Sequence, residues 1–130
     1  MEEDVIVLMD SPKIDNASIF GQSDGGIIGL ILASKYPKRI TKLATFGANI
    51  FPGKKAIFDE IDEMIRDTIK TTTNKNTLKI NLLMAHQPNI TKSDLAKIEC
   101  PVLIMSGDRD AIRLEHSIKI FYSIKNSNFL

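Results

Sequence analysis

Between an apolar stretch, Ala17-Ser18-Ile19-Phe20, and a run that is apolar almost all round, Ile27 to Ala33, the chain reads Gly21-Gln22-Ser23-Asp24-Gly25-Gly26. A serine flanked by glycines, wedged between a strand-like and a helix-like segment, leaves few folds open. A helix that is apolar on most sides has to be buried. A strand that enters it through so tight a turn leaves the serine hydroxyl at the rim of a sheet. Apolar residues resume from Ile40 to Phe46 and close at Gly47. Strand, helix and strand in about thirty residues is the size of a crossover between parallel strands. The spacing predicts an α/β chain.

The rest of the pattern fits that frame. Three acids, Glu2, Glu3 and Asp4, precede Val5, Val7, Leu8 and Met9. Acids oppose the positive end of a helix, and Ser11-Pro12 stops it. Ala17 to Phe20 reads as a buried strand. Ile57, Ile61, Met64, Ile65 and Ile69 recur at helical spacing with charges between them, which predicts an amphipathic helix broken at Thr71 to Asn74. A second helix is expected over Thr77 to His86, stopped by Pro88, and a short one capped by Ser93. Val102 to Met105 reads as a third buried strand. A last amphipathic helix carries Ile112, Leu114, Ile118, Ile120, Phe121 and Ile124.

Composition excludes several functions. With 17 Lys+Arg against 16 Asp+Glu over 130 residues, the net charge is +1, and the basic footprint of a nucleic-acid binder is missing. The length suits one domain, 1–130. A single cysteine, Cys100, rules out an internal disulfide or a multi-cysteine metal site and reads as a small buried hydrophobe. No apolar run reaches membrane-spanning length, so no membrane partner is expected. The acidic start is unlike a secretory signal, which points to the cytoplasm. No phosphate-binding glycine loop, HExxH or EF-hand pattern occurs, so neither a cofactor nor a metal is expected.

The chemistry therefore concentrates on Ser23. A serine at a strand-to-helix turn is exposed to substrate, and the first N–H of the following helix, that of Asp24, faces a developing oxyanion. An alternative reading keeps the α/β frame without catalysis: a binding or interaction domain, with the start of the Gly25-Gly26 helix holding an anion. Against phosphate, the turn has no lysine, and Asp24 adds a negative charge.

Over nearly its whole length the chain resembles the α/β-hydrolase fold family. Ala17 to Gly26 is similar to that family's nucleophile strand and elbow. Ile27 to Arg39 is similar to the helix after it, Lys42 to Asn49 to the next strand, and Phe51 to Ile98 to the helical lid insertion. Pro101 to Asp110 resembles the strand and Gly-x-x-Asp turn that supply the triad acid. The resemblance implies a partial α/β-hydrolase fold, with three parallel strands, flanking helices and a lid over about 51–98. It implies Ser23 as nucleophile, Asp110 as the acid in preference to Asp108, and the backbone N–H of Asp24 as an oxyanion donor. It also implies a small-molecule acyl substrate, a carboxylic ester or related bond, although no substrate-binding residue is assigned. Ile57, Ile61, Met64, Ile65, Leu82 and Met84 are the lid side chains available to line an apolar acyl site or to pack as plain core.

The departures matter as much. The family's catalytic histidine follows the acid by one more helix and strand. Here the residues after Ile124 resemble the approach to that last strand, and only His86 and His116 are present. His116 is expected to be a partly exposed helix residue and His86 a helix-end residue. Nothing before Ala17 resembles the loop that gives the second oxyanion donor. The chain reads as a portion of a hydrolase, weakly active or inactive alone. Its outer strands, the first and third, are expected to leave open edges that favour self-association.

Overall fold

The computed structural model describes residues 1–130. In chain order the elements are α1 (Glu2–Asp10), β1 (Ala17–Gln22), α2 (Asp24–Lys35), β2 (Ile40–Phe46), α3 (Asp59–Thr71), α4 (Lys75–His86), α5 (Lys92–Leu95), β3 (Val102–Met105), α6 (Leu114–Ser123) and β4 (Ser127–Phe129). The four strands form one parallel sheet in the order β1-β2-β3-β4. The three expected strands are all present. The fourth forms after α6, where Ser127 Oγ donates to the carbonyls of Phe121 and Ile124 and folds the chain back from that helix. β4 covers β3, so the open edges belong to β1 and β4, not to β1 and β3.

Local chemistry sets the boundaries. Pro37 disfavours helical geometry at the residue before it, and α2 ends there with Tyr36 outside the helical region at φ −128°, ψ +58°. Arg39 donates to the Asp10 carboxylate and to the carbonyls of Ile14 and Asp15, tying the turn after α1 to the start of β2. α5 is capped by Thr91, not Ser93: the Thr91 side chain accepts from Asp94 N–H while the Asp94 carboxylate accepts from Thr91 N–H. That reciprocal pair satisfies two donors that a Ser93 cap would leave open.

The helices pack on one face of the sheet. α2 lies on β1 and β2, α6 on β3 and β4, α5 between α2 and α6, and α1 against α2. Leu30, Leu32, Leu43, Val102, Ile104 and Ile120 meet there with almost no exposed surface. Truncating one such side chain to alanine costs about 2–5 kcal/mol. The opposite face, with Ser18, Phe20, Lys42, Ala44 and Leu103, carries no helix and forms an open hollow of about 360 Å³. Phe20 is 71% exposed. The expectation of a buried first strand is therefore corrected: Ala17 and Ile19 are half-buried, only Gly21 is buried, and Ser18, Phe20 and Gln22 are exposed. An apolar strand is buried on both faces only when something covers both.

Candidate active site

β1 ends at Gln22 and α2 begins at Asp24, so Ser23 alone makes the corner. It does so at φ +50°, ψ −119°, a region that costs a non-glycine residue of order 1–3 kcal/mol. Its N–H donates to the Phe46 carbonyl at 2.8 Å, and its carbonyl takes the first helical bond from Ile27 at 3.0 Å. The corner is tight enough that a Cβ on Gly21 would stand 2.2 Å from the Gly25 carbonyl oxygen. Gly25 itself has open space where its own Cβ would be. Of the two glycines flanking the serine, only the first is required by contact. The side chain of Ser23 is exposed. Asp24 opens the helix, and its N–H is one of the first-turn donors that a helix leaves without an internal acceptor.

The second half of the site comes from the turn after β3. Asp110 is half-buried. One carboxylate oxygen accepts from Ile112 N–H at 3.1 Å, and the other accepts from Gly107 N–H at 3.4 Å. The carboxylate rests against Gly47, which sits at φ +60° just past β2. Asp108, two residues earlier, is exposed in the turn. Ser23 and Asp110 line one cavity of about 380 Å³, together with Phe46, Gly47, Gly107 and Ile112. β2 separates their parent strands in the sheet, and its end supplies Phe46 and Gly47 between them.

Neither histidine lines this cavity. His86 is the exposed last residue of α4. His116 departs from its expected exposure: only 2% of it is accessible. Its Nε2 accepts from Ile50 N–H at 3.0 Å, its ring meets Phe51 edge-on at 4.6 Å, and its Nδ1 has no partner. The physical reason is periodicity: Ile112, His116 and Ile120 share one side of the chain running into α6, and that side faces the interior. Burial, aided by the charge of Lys119, lowers its pKa to about 4, so the ring is neutral at pH 7. Burial likewise raises the pKa of the Cys100 thiol, in keeping with an inert core cysteine.

The segment 51–98 holds α3, α4 and α5. Ile57 and Ile65 are buried in a small cluster with Ala56 and Ile112, and Ile61 packs against it. This cluster is separate from the sheet core. Ile112 belongs to it and also lines the Ser23 cavity. Arg113 fastens the base of α3 to the turn carrying Asp110, donating to the carbonyls of Lys54 and Ile57 and to the Asp59 carboxylate. Met64, Leu82 and Met84 are exposed. Met84 lines a larger apolar cavity of about 540 Å³, formed mainly with Ile27, Ile31 and Leu83. That cavity reaches Asp24 but not Ser23. Sequence reasoning missed Gly47, Phe46 and Ile112 as site residues. The glycine ending β2 was the available signal for the first.

Residues 1–122 match the family model described as BAAT / acyl-CoA thioester hydrolase C terminal. The chain is 31% identical over 134 residues to serine hydrolase BPHL of Homo sapiens, and 28% over 131 residues to serine hydrolase BPHL of Mus musculus. Each match covers 85% of this chain and 44% of the relative, so the chain spans about half the length of the curated relatives it matches. Among solved structures it is similar to a hydrolase from Oleispira antarctica (TM-score 0.76, 17% identity, 99% of this chain and 61% of that one). It is also similar to the enol-lactonase from Burkholderia xenovorans LB400 (TM-score 0.74, 18% identity, 99% and 62%). With a parallel sheet, a strained serine at the strand-to-helix corner and a family match over nearly all its length, the chain belongs to the BAAT / acyl-CoA thioester hydrolase C-terminal family and has an α/β-hydrolase fold.

Proposed function

We propose that this chain carries the nucleophile and the acid of a serine hydrolase acting on carboxylic esters or related acyl bonds, and that the 130 residues alone turn over such substrates weakly or not at all. In this reading Ser23 Oγ attacks the acyl carbon. The Asp24 N–H stabilises the oxyanion, and Asp110 orients the base that takes the serine proton. The observation that carries it is the shared cavity: a serine held at φ +50° and a carboxylate fixed by two backbone N–H groups open onto one space.

Weak activity follows from the base. A serine without one keeps its proton at neutral pH and is a poor nucleophile. His116 is engaged with Ile50 and buried, and His86 is exposed on α4. Loss of one triad member lowers turnover by orders of magnitude. A reducing compartment such as the cytoplasm suits the free, buried Cys100.

Hydrolysis of p-nitrophenyl acetate, with and without added imidazole, tests the proposal against Ser23→Ala. The expected result is a rate close to the variant's without imidazole, and a Ser23-dependent increase with it. Strong Ser23-dependent turnover in plain buffer overturns the claim of weak activity and implicates His116 or His86. The second reading is a non-catalytic binding domain on the same frame, favoured by the absence of a histidine from the cavity. No Ser23-dependent rate under either condition would select it.

A further inference from the structure

We propose that His116 is a positioning residue: it seats the root of the 51–98 segment against the turn that carries Asp110. Ile50, the residue before that segment, is buried, and its N–H donates to His116 Nε2 at 3.0 Å across 66 positions of sequence. The carbonyl of Ile50 accepts from Ile90 N–H at 2.9 Å, where the chain returns from α4. One residue therefore joins the departure and the return of the segment, and His116 holds that residue to α6. Phe51, first in the segment, packs edge-on to the imidazole at 4.6 Å, and Lys119 Nζ lies 5.0 Å from the centre of the Phe51 ring.

Filling space does not account for an imidazole here. Nε2 accepts only when it carries no proton, so the neutral ring keeps its proton on Nδ1. Nδ1 is buried without a partner, and a buried donor left unpaired is a cost that an apolar side chain of similar size would avoid. What the histidine adds is the acceptor for Ile50, whose buried N–H would otherwise be unpaired as well.

The bond closes a ring with the site. Ile50 lies three residues past Gly47, over which the Asp110 carboxylate rests, and His116 lies six residues past Asp110. Residues 47–50 and 110–116 are thus joined at both ends, by Asp110 on Gly47 and by His116 on Ile50. Between these ends the same turn holds the start of the segment: Arg113 N–H donates to the Ala56 carbonyl at 2.9 Å, and Phe58 N–H to the Ala111 carbonyl at 3.1 Å. Loss of the His116 end frees Ile50 and Ile90 together and loosens the carboxylate that accepts from Ile112 N–H. The role in turnover rests on the hydrolase reading of Ser23 and Asp110; the coupling of the two chain segments does not.

Amide exchange of the full 130-residue chain in wild type, His116→Gln and His116→Leu tests this, with the sheet amides of Leu43 and Val102 as references. Leucine keeps the bulk and removes the acceptor, whereas glutamine keeps an acceptor. In His116→Leu the Ile50, Ile90 and Ile112 amides are expected to exchange about tenfold faster relative to the references, and His116→Gln to recover most of that protection. Imidazole-assisted acetylation of Ser23 is expected to fall several-fold in the leucine variant and less in the glutamine one. Should His116→Leu fail to fold, nitrogen NMR of the wild-type imidazole decides: Nδ1 protonated and Nε2 bare at pH 7 is the expected result. The opposite tautomer, unchanged exchange at Ile50 or at Ile112 in His116→Leu, or equal losses in both variants would overturn the proposal. So would full Ser23 acetylation beside fast Ile50 exchange. Absence of Ser23-dependent acetylation in the wild type would instead defeat the hydrolase reading, and exchange at Ile112 would then decide the positioning alone.

Discussion

The carboxylate of Asp110 lies directly over Gly47, so closely that a Cβ at position 47 would stand 3.0 Å from one oxygen and 3.1 Å from the other. Gly47 also holds φ +60°, where a side chain is strained. Both effects oppose Gly47→Ala. The backbone term alone costs about 1 kcal/mol or more, and relieving the contact moves Asp110 away from Gly107 and Ile112 N–H. Urea unfolding is expected to show that loss, and imidazole-assisted ester hydrolysis is expected to fall. Gly53→Ala would share the positive-φ cost, but it has open space around it and should leave hydrolysis unchanged.

Strain at the serine makes a separate prediction. Ser23→Gly relaxes φ +50°, ψ −119° and is expected to stabilise the fold by about 1 kcal/mol, the relief exceeding the entropy that glycine adds to the unfolded chain. Ser23→Ala keeps its Cβ and should leave the melting temperature near wild type. Equal melting temperatures for the two variants would mean that the corner stores no strain.

The glycines flanking Ser23 should respond unequally. Gly21→Ala drives a Cβ into the Gly25 backbone at 2.2 Å. No flexible atom can yield there, so the corner must open at a cost of several kcal/mol, well above the typical effect of a substitution. Gly25→Ala meets nothing within 4 Å and lies in the first turn of α2. It is expected to be neutral or to stabilise by up to about 1 kcal/mol through helix propensity. Thermal melts of the two variants check the contrast.

Acid should unfold this chain partly through His116. Its folded pKa, about 4, lies below the ordinary value of 6.5, because burial penalises the charged ring and the nearby Lys119 charge opposes it. The unfolded chain takes up the proton first as pH falls. The His116 contribution to stability is therefore intact above about pH 6.5 and declines down to about pH 4, by up to roughly 3 kcal/mol at 1.4 kcal/mol per unit. His116→Gln keeps an acceptor for Ile50 without titrating. Urea midpoints between pH 4 and 7 should be flatter in that variant.

Much of this was readable from residues alone. The glycine-flanked serine announced β1, α2 and β2, because a buried helix after a tight corner has few other homes. Asp110 could be preferred to Asp108 by its place in the turn, and the structure brings it beside the Ser23 cavity while Asp108 stays exposed. Other features were hidden for physical reasons. An apolar strand has the same pattern whether or not something covers its second face, so the exposure of Phe20 left no trace. β4 was foreshadowed only by the family resemblance of the residues after Ile124, since three residues are too few to show a period, and it forms because β3 offers it a ladder. The burial of His116 was legible in its four-residue spacing from Ile112 and Ile120, but a single polar side chain on an apolar stripe reads as readily as a boundary. The Thr91 cap was signalled by Asp94 three residues on, a pairing that outweighs the nearer hydroxyl of Ser93.

The most direct test of the Ser23–Asp110 pair is peptide mass mapping of the chain after brief exposure to p-nitrophenyl acetate with imidazole, in wild type, Asp110→Asn and Asp108→Asn. The expected result is acetylation concentrated on Ser23, retained in Asp108→Asn and sharply reduced in Asp110→Asn. Acetyl groups scattered over lysines with Ser23 unmodified, or Ser23 labelling equally strong in both aspartate variants, would contradict a shared catalytic site.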